Sequence, residues 1–475
     1  MLKQIVYILL LCNIYFLKAQ SPSTNIILLM ADDLGWGDVN VFNSKTKIKT
    51  PELDKMAQSG IQFNRFYASS PVCSPTRGSS ITGRHPYRYG VYYANTGYMK
   101  TEELTLAELL KAKGYMTGHF GKWHLGTMTT EMEDANRGAI GNTEEFSPPW
   151  KNGFDICFST ESKVPTWDPM LKSTEKSDWS GHKNGWDYIQ DKNKAEAYGT
   201  HYWNEKGQIV KGNLEGDDSR VIMDRVIPFI QKAKTTNKAF FAVVWFHTPH
   251  LPVVAGPKYA AMYPNEDGFK KNYYGAVTAL DEQVGRLRRE LKKIGIAENT
   301  MIWFCSDNGP EGGVKNPGSA AHFKGRKRSL NEGGVRVPGI LDWPSRVKAG
   351  TKTDFPAVTS DYLPTILDLL NVTYVSNRPL DGISLLPLID GKMTVREKGI
   401  GFQSRGSSAW SSQQYKIIKN KEKKAWELYD IINDPSEKNN IASAHPKIVT
   451  DMSQKFEVWK NSCQRSDKGK DYKNK

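Results

Sequence analysis

The chain has 475 residues, long enough for a large α/β core and a smaller second unit. Its 65 Lys and Arg outnumber 51 Asp and Glu, a net charge of +14 that suits an anionic partner. No basic tract alternates with aromatics, and no zinc-finger or helix-turn-helix pattern occurs, which argues against nucleic acid.

In chain order, "MLKQIVYILLLCNIYFLKAQ" comes first, with Lys3 as a basic start and an apolar run over Ile5–Leu17. The run is short for a membrane span, and "KAQ" offers a small residue for cleavage. Residues 1–20 therefore read as an export signal, and the expected location is periplasmic or secreted. "LLLC" lacks the small residue that precedes a lipidated cysteine, and no later run is long enough to span a membrane.

Four short apolar runs follow: "NIILLM" (25–30), "GYMTGHFG" (114–121), "AFFAVVWF" (239–246) and "TMIWFC" (300–305). Each suits a strand buried on both faces of a parallel sheet. Helical patterns alternate with them. "TLAELLKAKG" ends at Gly114, and Tyr274, Val277, Leu280, Val284, Leu287, Leu291 and Ile294 recur at steps of three and four. The expected fold is α/β, a large doubly wound sheet of mixed or parallel strands flanked by helices.

Residues 128–220 lack periodicity and read as a loop-rich insertion beside the substrate. Its Trp150, Trp167, Trp179, Trp186 and Trp203 are candidate platforms for sugar rings. The catalytic unit is expected over 21–379. From 380 on, "SQQYKIIKN" and "KAWELYDI" read as antiparallel strands and "HPKIVTDMSQKFEVWKNS" as a helix, a C-terminal α+β subdomain with a disordered charged tail. Cys73, Cys157, Cys305 and Cys463 are too few and scattered for a disulfide framework, and spacing leaves any single pairing open.

The chemistry gathers after the apolar runs. Asp32 and Asp33 follow the first, Lys122 and His124 the second, His247 and His250 the third, Asp307 and Asn308 the fourth. The carboxyl ends of parallel strands are where α/β sheets bind ligands. Asp32, Asp33, Asp307 and Asn308 offer only oxygen, which favours Ca²⁺ or Mg²⁺ over zinc, with Ca²⁺ preferred for its tolerance of irregular shells. Lys122, Arg77 and a lysine of "HFKGRKRSLNEGGVRVP" can surround an oxyanion, while His124 and His247 can move protons.

"CSPTRG" (73–78) matches the C-x-P-x-R maturation signal of type I sulfatases. With "ADDLGWGD", "GKWHLG", "HTPH", "SDNGP" and "GRKRSLNEGGVRVP" in order, residues 25 to about 370 resemble that family, within the alkaline-phosphatase superfamily, and especially bacterial polysaccharide sulfatases. The resemblance implies a sulfuric ester hydrolase in which a maturase, a transient partner, oxidises Cys73 to formylglycine. Two hydroxyls on the hydrated aldehyde carbon let one attack sulfur and the other expel sulfate.

Carried over residue by residue, Cys73 is the nucleophile and a metal neighbour, and Asp32, Asp33, Asp307 and Asn308 bind one Ca²⁺. Arg77 orients the aldehyde, His124 takes the proton in sulfate release, and His247 protonates the leaving oxygen. Lys122 and Lys327 hold the sulfate, with Lys324 the rival to Lys327. His250 touches substrate, and His85 and Arg88 of "GRHPYRYG" read a second anionic group. The implied substrate is a sulfated carbohydrate, with algal galactans, fucans or ulvan favoured. The competing readings are a phosphate or phosphonate monoester hydrolase of the same superfamily and a silent glycan-binding protein. Asn308 argues against two-zinc phosphatases, which place histidine there.

Overall fold

The computed structural model describes residues 23–175, 185–313, 315–374 and 378–472. The export signal and Trp179 lie outside these described residues. Among the described residues, nine strands form one sheet: β1 (Asn25–Ala31), β2 (Ile61–Phe63), β3 (Met116–Lys122), β4 (Ile156–Thr160), β5 (Trp203–Asn204), β6 (Phe240–Trp245), β7 (Thr300–Ser306), β8 (Gly339–Asp342) and β9 (Thr351–Thr353). The order is β9-β2-β8-β7-β1-β6-β3-β4-β5. The central run β7-β1-β6-β3-β4 is parallel, and β8 and β5 flank it antiparallel.

Alternation in β1 shows why its apolar run is continuous. Ile26, Leu28 and Met30 enter one core with Val243, Trp245, Met301 and Trp303. Ile27, Leu29 and Ala31 enter the other with Ala242, Val244, Ile302 and Phe304. Helices cover both faces, so no side chain of β1 faces water. Flanking helices include α1 (Pro51–Ser59), α2 (Cys73–Thr82), α3 (Leu106–Lys111), α4 (Asp218–Thr235), α5 (Gly268–Lys293) and α6 (Tyr362–Leu369). The periodic stripe of α5 is buried at Val277, Leu280, Val284, Leu287 and Leu291 and half-buried at its ends, Tyr274 and Ile294. α3 opens with a Thr105–Glu108 capping box and stops at Lys111, with Gly114 in a left-handed turn beyond it.

Two readings change. Residues 128–220, read as an insertion, contain β4 and β5 of the central sheet. Apolar and small polar residues mix in "ICFST", so its pattern does not show in the sequence, yet β4 is buried beside β3 from Cys157 on. The charged tail is not free either. Asp471 pairs with buried Arg84 at 2.7 Å, and the Tyr472 hydroxyl donates to Glu103 at 2.5 Å, because two interior charges need partners.

A second sheet, β10 (Ile400–Ser404), β11 (Ser407–Ser411), β12 (Tyr415–Lys419) and β13 (Glu427–Asp430), is an antiparallel meander. α7 (Pro446–Asp467), with proline in its first turn, packs Met452, Phe456 and Trp459 on one of its faces. The described cysteines Cys73, Cys157, Cys305 and Cys463 are all free and buried. Among the described residues no helix is long and apolar enough to cross a membrane.

α7 is tied to the main body by one buried ion pair. Arg88 meets Asp381 at 2.6 and 2.7 Å and donates to Ser462 and Ser466, while the Trp459 indole donates to Asp381 at 2.8 Å. Burial opposes the Asp381 charge, but Arg88 holds its carboxyl well below the usual range. Asp381→Ala strands the guanidinium and is expected to destabilise the protein by about 3–5 kcal/mol, read from urea unfolding. Because the folded carboxyl is depressed, this contribution is complete above about pH 4 and is lost as acid protonates Asp381.

Candidate active site

The carboxyl ends of β1, β3, β4, β6 and β7 meet on one edge of the sheet, and the predicted acids, lysines and histidines meet there. Cys73 is the first residue of α2, after extended Val72, with its thiol 2% exposed. Thr76 Oγ1 donates to Ser70 O at 3.0 Å and Val72 O at 3.3 Å, closing the turn that enters the helix. Burial raises the Cys73 thiol pKa, with Lys122 and Lys327 opposing that shift.

Asp32, Asp33, Asp307 and Asn308 are all buried. Each carboxylate has its own cation. Lys122 Nζ meets Asp32 at 2.7 Å, Arg77 donates twice to Asp307 at 2.6 and 3.1 Å, and Lys327 Nζ meets Asp33 at 2.7 Å. Arg77 also donates to the Lys122 carbonyl at 2.9 Å, which locks α2 to the end of β3. Burial pushes the Asp307 carboxyl up to about 7, and the nearby Asp32 charge adds to this against Arg77. Burial works against Asp32 too, yet Lys122, His250 and Arg77 together hold it well below the usual range.

These residues fit a hard cation. One oxygen of Asp32 and the side-chain oxygen of Asn308 are buried with no hydrogen-bond partner among the described residues. Ligand atoms of Asp32, Cys73 and Asp307 lie within 4.8 Å of one another, as do those of Asp32, Asp33 and His250. Unpartnered buried oxygens beside three carboxylates suit Ca²⁺ or Mg²⁺.

Above the carboxylates is a cavity of about 330 Å³. Cys73, Lys122, His124, His250 and Lys327 line it, so the structure brings five of the predicted residues to one space. The His124 Nε2 atom lies 2.5 Å from Asn95 Oδ1, and its Nδ1 has no partner among the described residues. Burial lowers the His124 pKa, and Lys122 adds to the shift. Sequence reading missed Tyr93, Asn95, Asn136, Ser162, Lys163, Glu311 and Arg328 in the same wall. They come from irregular segments: Asn136, Ser162 and Lys163 lie in the loop-rich 128–220, Glu311 directly follows "SDNGP" and Arg328 lies within "GRKRSLNEGGVRVP".

Four assignments are corrected. His247 is fully buried away from the cavity lining. Its Nε2 lies 2.8 Å from Thr160 Oγ1 and its Nδ1 2.8 Å from Asp218, so both ring nitrogens are taken. His250, three residues on, lines the cavity with Nε2 3.7 Å from Asp33. His85 and Arg88 do not reach this space. His85 packs edge-on against Trp459, and Arg88 serves Asp381 as described. Lys324 faces the C-terminal sheet, 5.4 Å from the Tyr429 ring centroid, which leaves Lys327 as the site lysine. A Cβ on Gly333 would stand 2.2 Å from Gly325 O, so glycine there lets the Lys327 loop fold closely on "EGG".

Of the tryptophans, Trp186 and Trp203 are buried, and Trp203 donates to Asp134 at 3.0 Å. Trp150 and Trp167 are partly buried, packed against the main core and against Trp186 and Val254 respectively. None of the four lines the cavity.

The sulfatase family model matches residues 24–372, and the model for the C-terminal part of N-sulphoglucosamine sulphohydrolase matches 321–462. N-acetylgalactosamine-6-sulfatase of Sus scrofa is 32% identical over 390 residues, spanning 78% of this chain and 67% of that protein. Steryl-sulfatase of Homo sapiens is 31% identical over 415 residues, spanning 78% and 70%. The solved structure of Ps i-CgsB aligns with TM-score 0.78 at 29% identity over 94% of both chains. The phosphonate monoester hydrolase of Agrobacterium radiobacter shares the fold, with TM-score 0.64 at 18% identity over 93% of this chain and 96% of that one.

The buried acids generate a measurable expectation. Ca²⁺ added to EDTA-treated protein is expected to raise the Tm by several degrees, through binding to the folded state alone. Asp307→Ala is expected to abolish that rise and to lower bound calcium measured by atomic absorption. An unchanged calcium content in the variant removes Asp307 from the ligand set.

Proposed function

This chain belongs to the sulfatase family and is a sulfuric ester hydrolase, and from that premise we propose that it removes sulfate from a sulfated carbohydrate. The observation that carries the reading is Cys73 on the floor of a cavity shared with Lys122, His124, His250 and Lys327, beside three buried carboxylates. A related solved structure holds k-i-k-neocarrahexaose, which favours a sulfated galactan among algal glycans. A leader over residues 1–20 and export to the periplasm or medium complete the proposal.

In this reading Cys73 is converted to formylglycine by a maturase. That group would supply a hydrated aldehyde carbon with two hydroxyls, one available as nucleophile and one to release sulfate without an external water. Asp32, Asp33, Asp307 and Asn308 would hold one Ca²⁺, which would supply positive charge beside the nucleophile. The chain's own residues do the rest.

Lys122 and Lys327 are pinned by Asp32 and Asp33, so their ammonium groups are already oriented before an anion arrives. Arg77 makes two bonds to Asp307 and one to the Lys122 carbonyl, so it fixes both an acid and a lysine. His124 is depressed by burial and is neutral at neutral pH, which suits a base with its Nδ1 open. His250 Nδ1 is engaged with the Leu251 carbonyl at 2.5 Å, which leaves Nε2 to carry a proton to the leaving oxygen. Burial lowers its pKa, and a sulfate ester beside it favours the protonated form.

Co-expressed with a maturase, the protein is expected to release sulfate from a sulfated oligosaccharide, measured by ion chromatography. Cys73→Ala is expected to release none while still binding the glycan. Turnover retained by that variant excludes the formylglycine route. His250→Ala is expected to slow sugar sulfates by about 10²–10⁴-fold and p-nitrophenyl sulfate far less, because an activated phenol leaves without a proton. His247→Ala is expected to slow both alike. A selective loss at His247 restores it as the acid.

A further inference from the structure

Every lysine and arginine on the cavity floor has a carboxylate partner, and Arg328 at its rim is held by Glu311 at 2.5 and 3.0 Å. Lys163 differs. It lines the same cavity, yet among the described residues no carboxylate stands within ion-pair distance of its amine and no hydrogen bond holds it. It is half-buried, whereas Lys122 and Lys327 are 1% and 4% exposed, so it stands nearer the mouth. Burial and the repulsion of Lys122 and Lys327 lower its pKa, the condition of an ammonium that gains from an anion.

The segment that carries it is fixed. Thr160 Oγ1 donates to Ser162 O at 2.6 Å and is itself held by His247. Glu161 accepts from the Asn136 amide at 2.9 Å and pairs with Arg137 at 2.7 Å. The Asn136 side chain donates to Ser162 Oγ at 2.6 Å. The two residues before it, Glu161 and Ser162, are thus held before ligand arrives, which limits the entropy lost on binding.

Lys163 is also among the charges that act on His250, the residue placed beside the departing oxygen. A sulfate held by the deeply buried Lys122 and Lys327 leaves its sugar toward the mouth, where the less buried Lys163 stands. About 330 Å³ is the small end of ligand sites and suits one ring with its substituents.

We propose that Lys163 is a specificity residue that binds a second anionic group on the leaving sugar, a carboxylate or a further sulfate. The proposal rests on the sulfatase reading of this cavity and deepens it. A substrate neutral apart from its scissile sulfate leaves the ammonium half-buried and unpaired, while a dianionic one forms a charge-assisted contact.

The test uses formylglycine-bearing protein and four probes: p-nitrophenyl sulfate, a monosulfated neutral disaccharide, a disulfated disaccharide, and a monosulfated disaccharide with a uronate. Lys163→Met is expected to raise KM for a dianionic sugar about tenfold more than for p-nitrophenyl sulfate, the worth of one charged contact. Lys163→Arg is expected to retain most of the preference. Which dianionic sugar suffers tells a sulfate from a carboxylate. Equal losses on all four probes would place the amine on the transferred sulfate and overturn the proposal. A loss no larger on either dianionic sugar than on the neutral one overturns it too. If the unaltered protein releases sulfate from p-nitrophenyl sulfate but from none of the three sugars, the sulfated-carbohydrate reading of this cavity falls, and the Lys163 assignment with it.

Discussion

Three carboxylates kept from water at the ends of β1 and β7 set the terms for the rest of the molecule. An isolated buried carboxylate is costly, and the cost is met only when a cation or several donors stand beside it. Asp32, Asp33 and Asp307 therefore each draw in a different element. Arg77 brings α2, and with it Cys73. Lys122 ends β3. Lys327 brings the loop before β8. The charges that assemble the site are thus the charges that line or border its cavity. Among the described residues Arg77 is the one cation within ion-pair distance of Asp307, so its loss leaves that carboxylate buried without one.

The C-terminal sheet takes part in this arrangement from behind. Lys416 on β12 is fully buried between Glu332 and Glu437, at 2.9 and 3.1 Å. Glu332 also accepts from the Tyr67 hydroxyl at 2.9 Å, and its amide donates to Glu437 at 2.8 Å. Glu332 opens the "EGG" turn on which the Lys327 loop folds. A lysine of the second sheet therefore fixes the loop that carries the cavity lysine Lys327, although it lies outside the cavity itself. Arg88 and Asp381 make the matching tie to α7.

Two histidines three residues apart show how one turn divides labour. The His250 amide donates to the His247 carbonyl at 2.8 Å, so the chain reverses between them. One ring is driven inward to Asp218 and Thr160, and the other lines the cavity. His247 then acts at a distance, since Thr160 also holds the segment that presents Lys163. The cavity wall is in this way unevenly charged, balanced at its floor and positive nearer its mouth, where Lys163 stands.

The sequence by itself determined the sheet strands with unbroken apolar runs, the α5 stripe, and the order of chemistry at the strand ends. Those signals are local: period, turn residues and fixed motifs such as "CSPTRG" are set by neighbours along the chain. It did not reveal β4, whose "ICFST" is too mixed to read, nor the docking of the tail on Arg84 and Glu103. Nor could it divide His247 from His250, or Lys324 from Lys327, or see that Arg88 faces Asp381. Only the tertiary structure decided these. Burial and pairing depend on which distant segment arrives beside a side chain, and Asp218 lies 29 residues from the histidine it claims. Lys163 shows the same limit from the other side: it is one lysine among many in the sequence, and only the assembled wall leaves it without an ion-pair partner among the described residues.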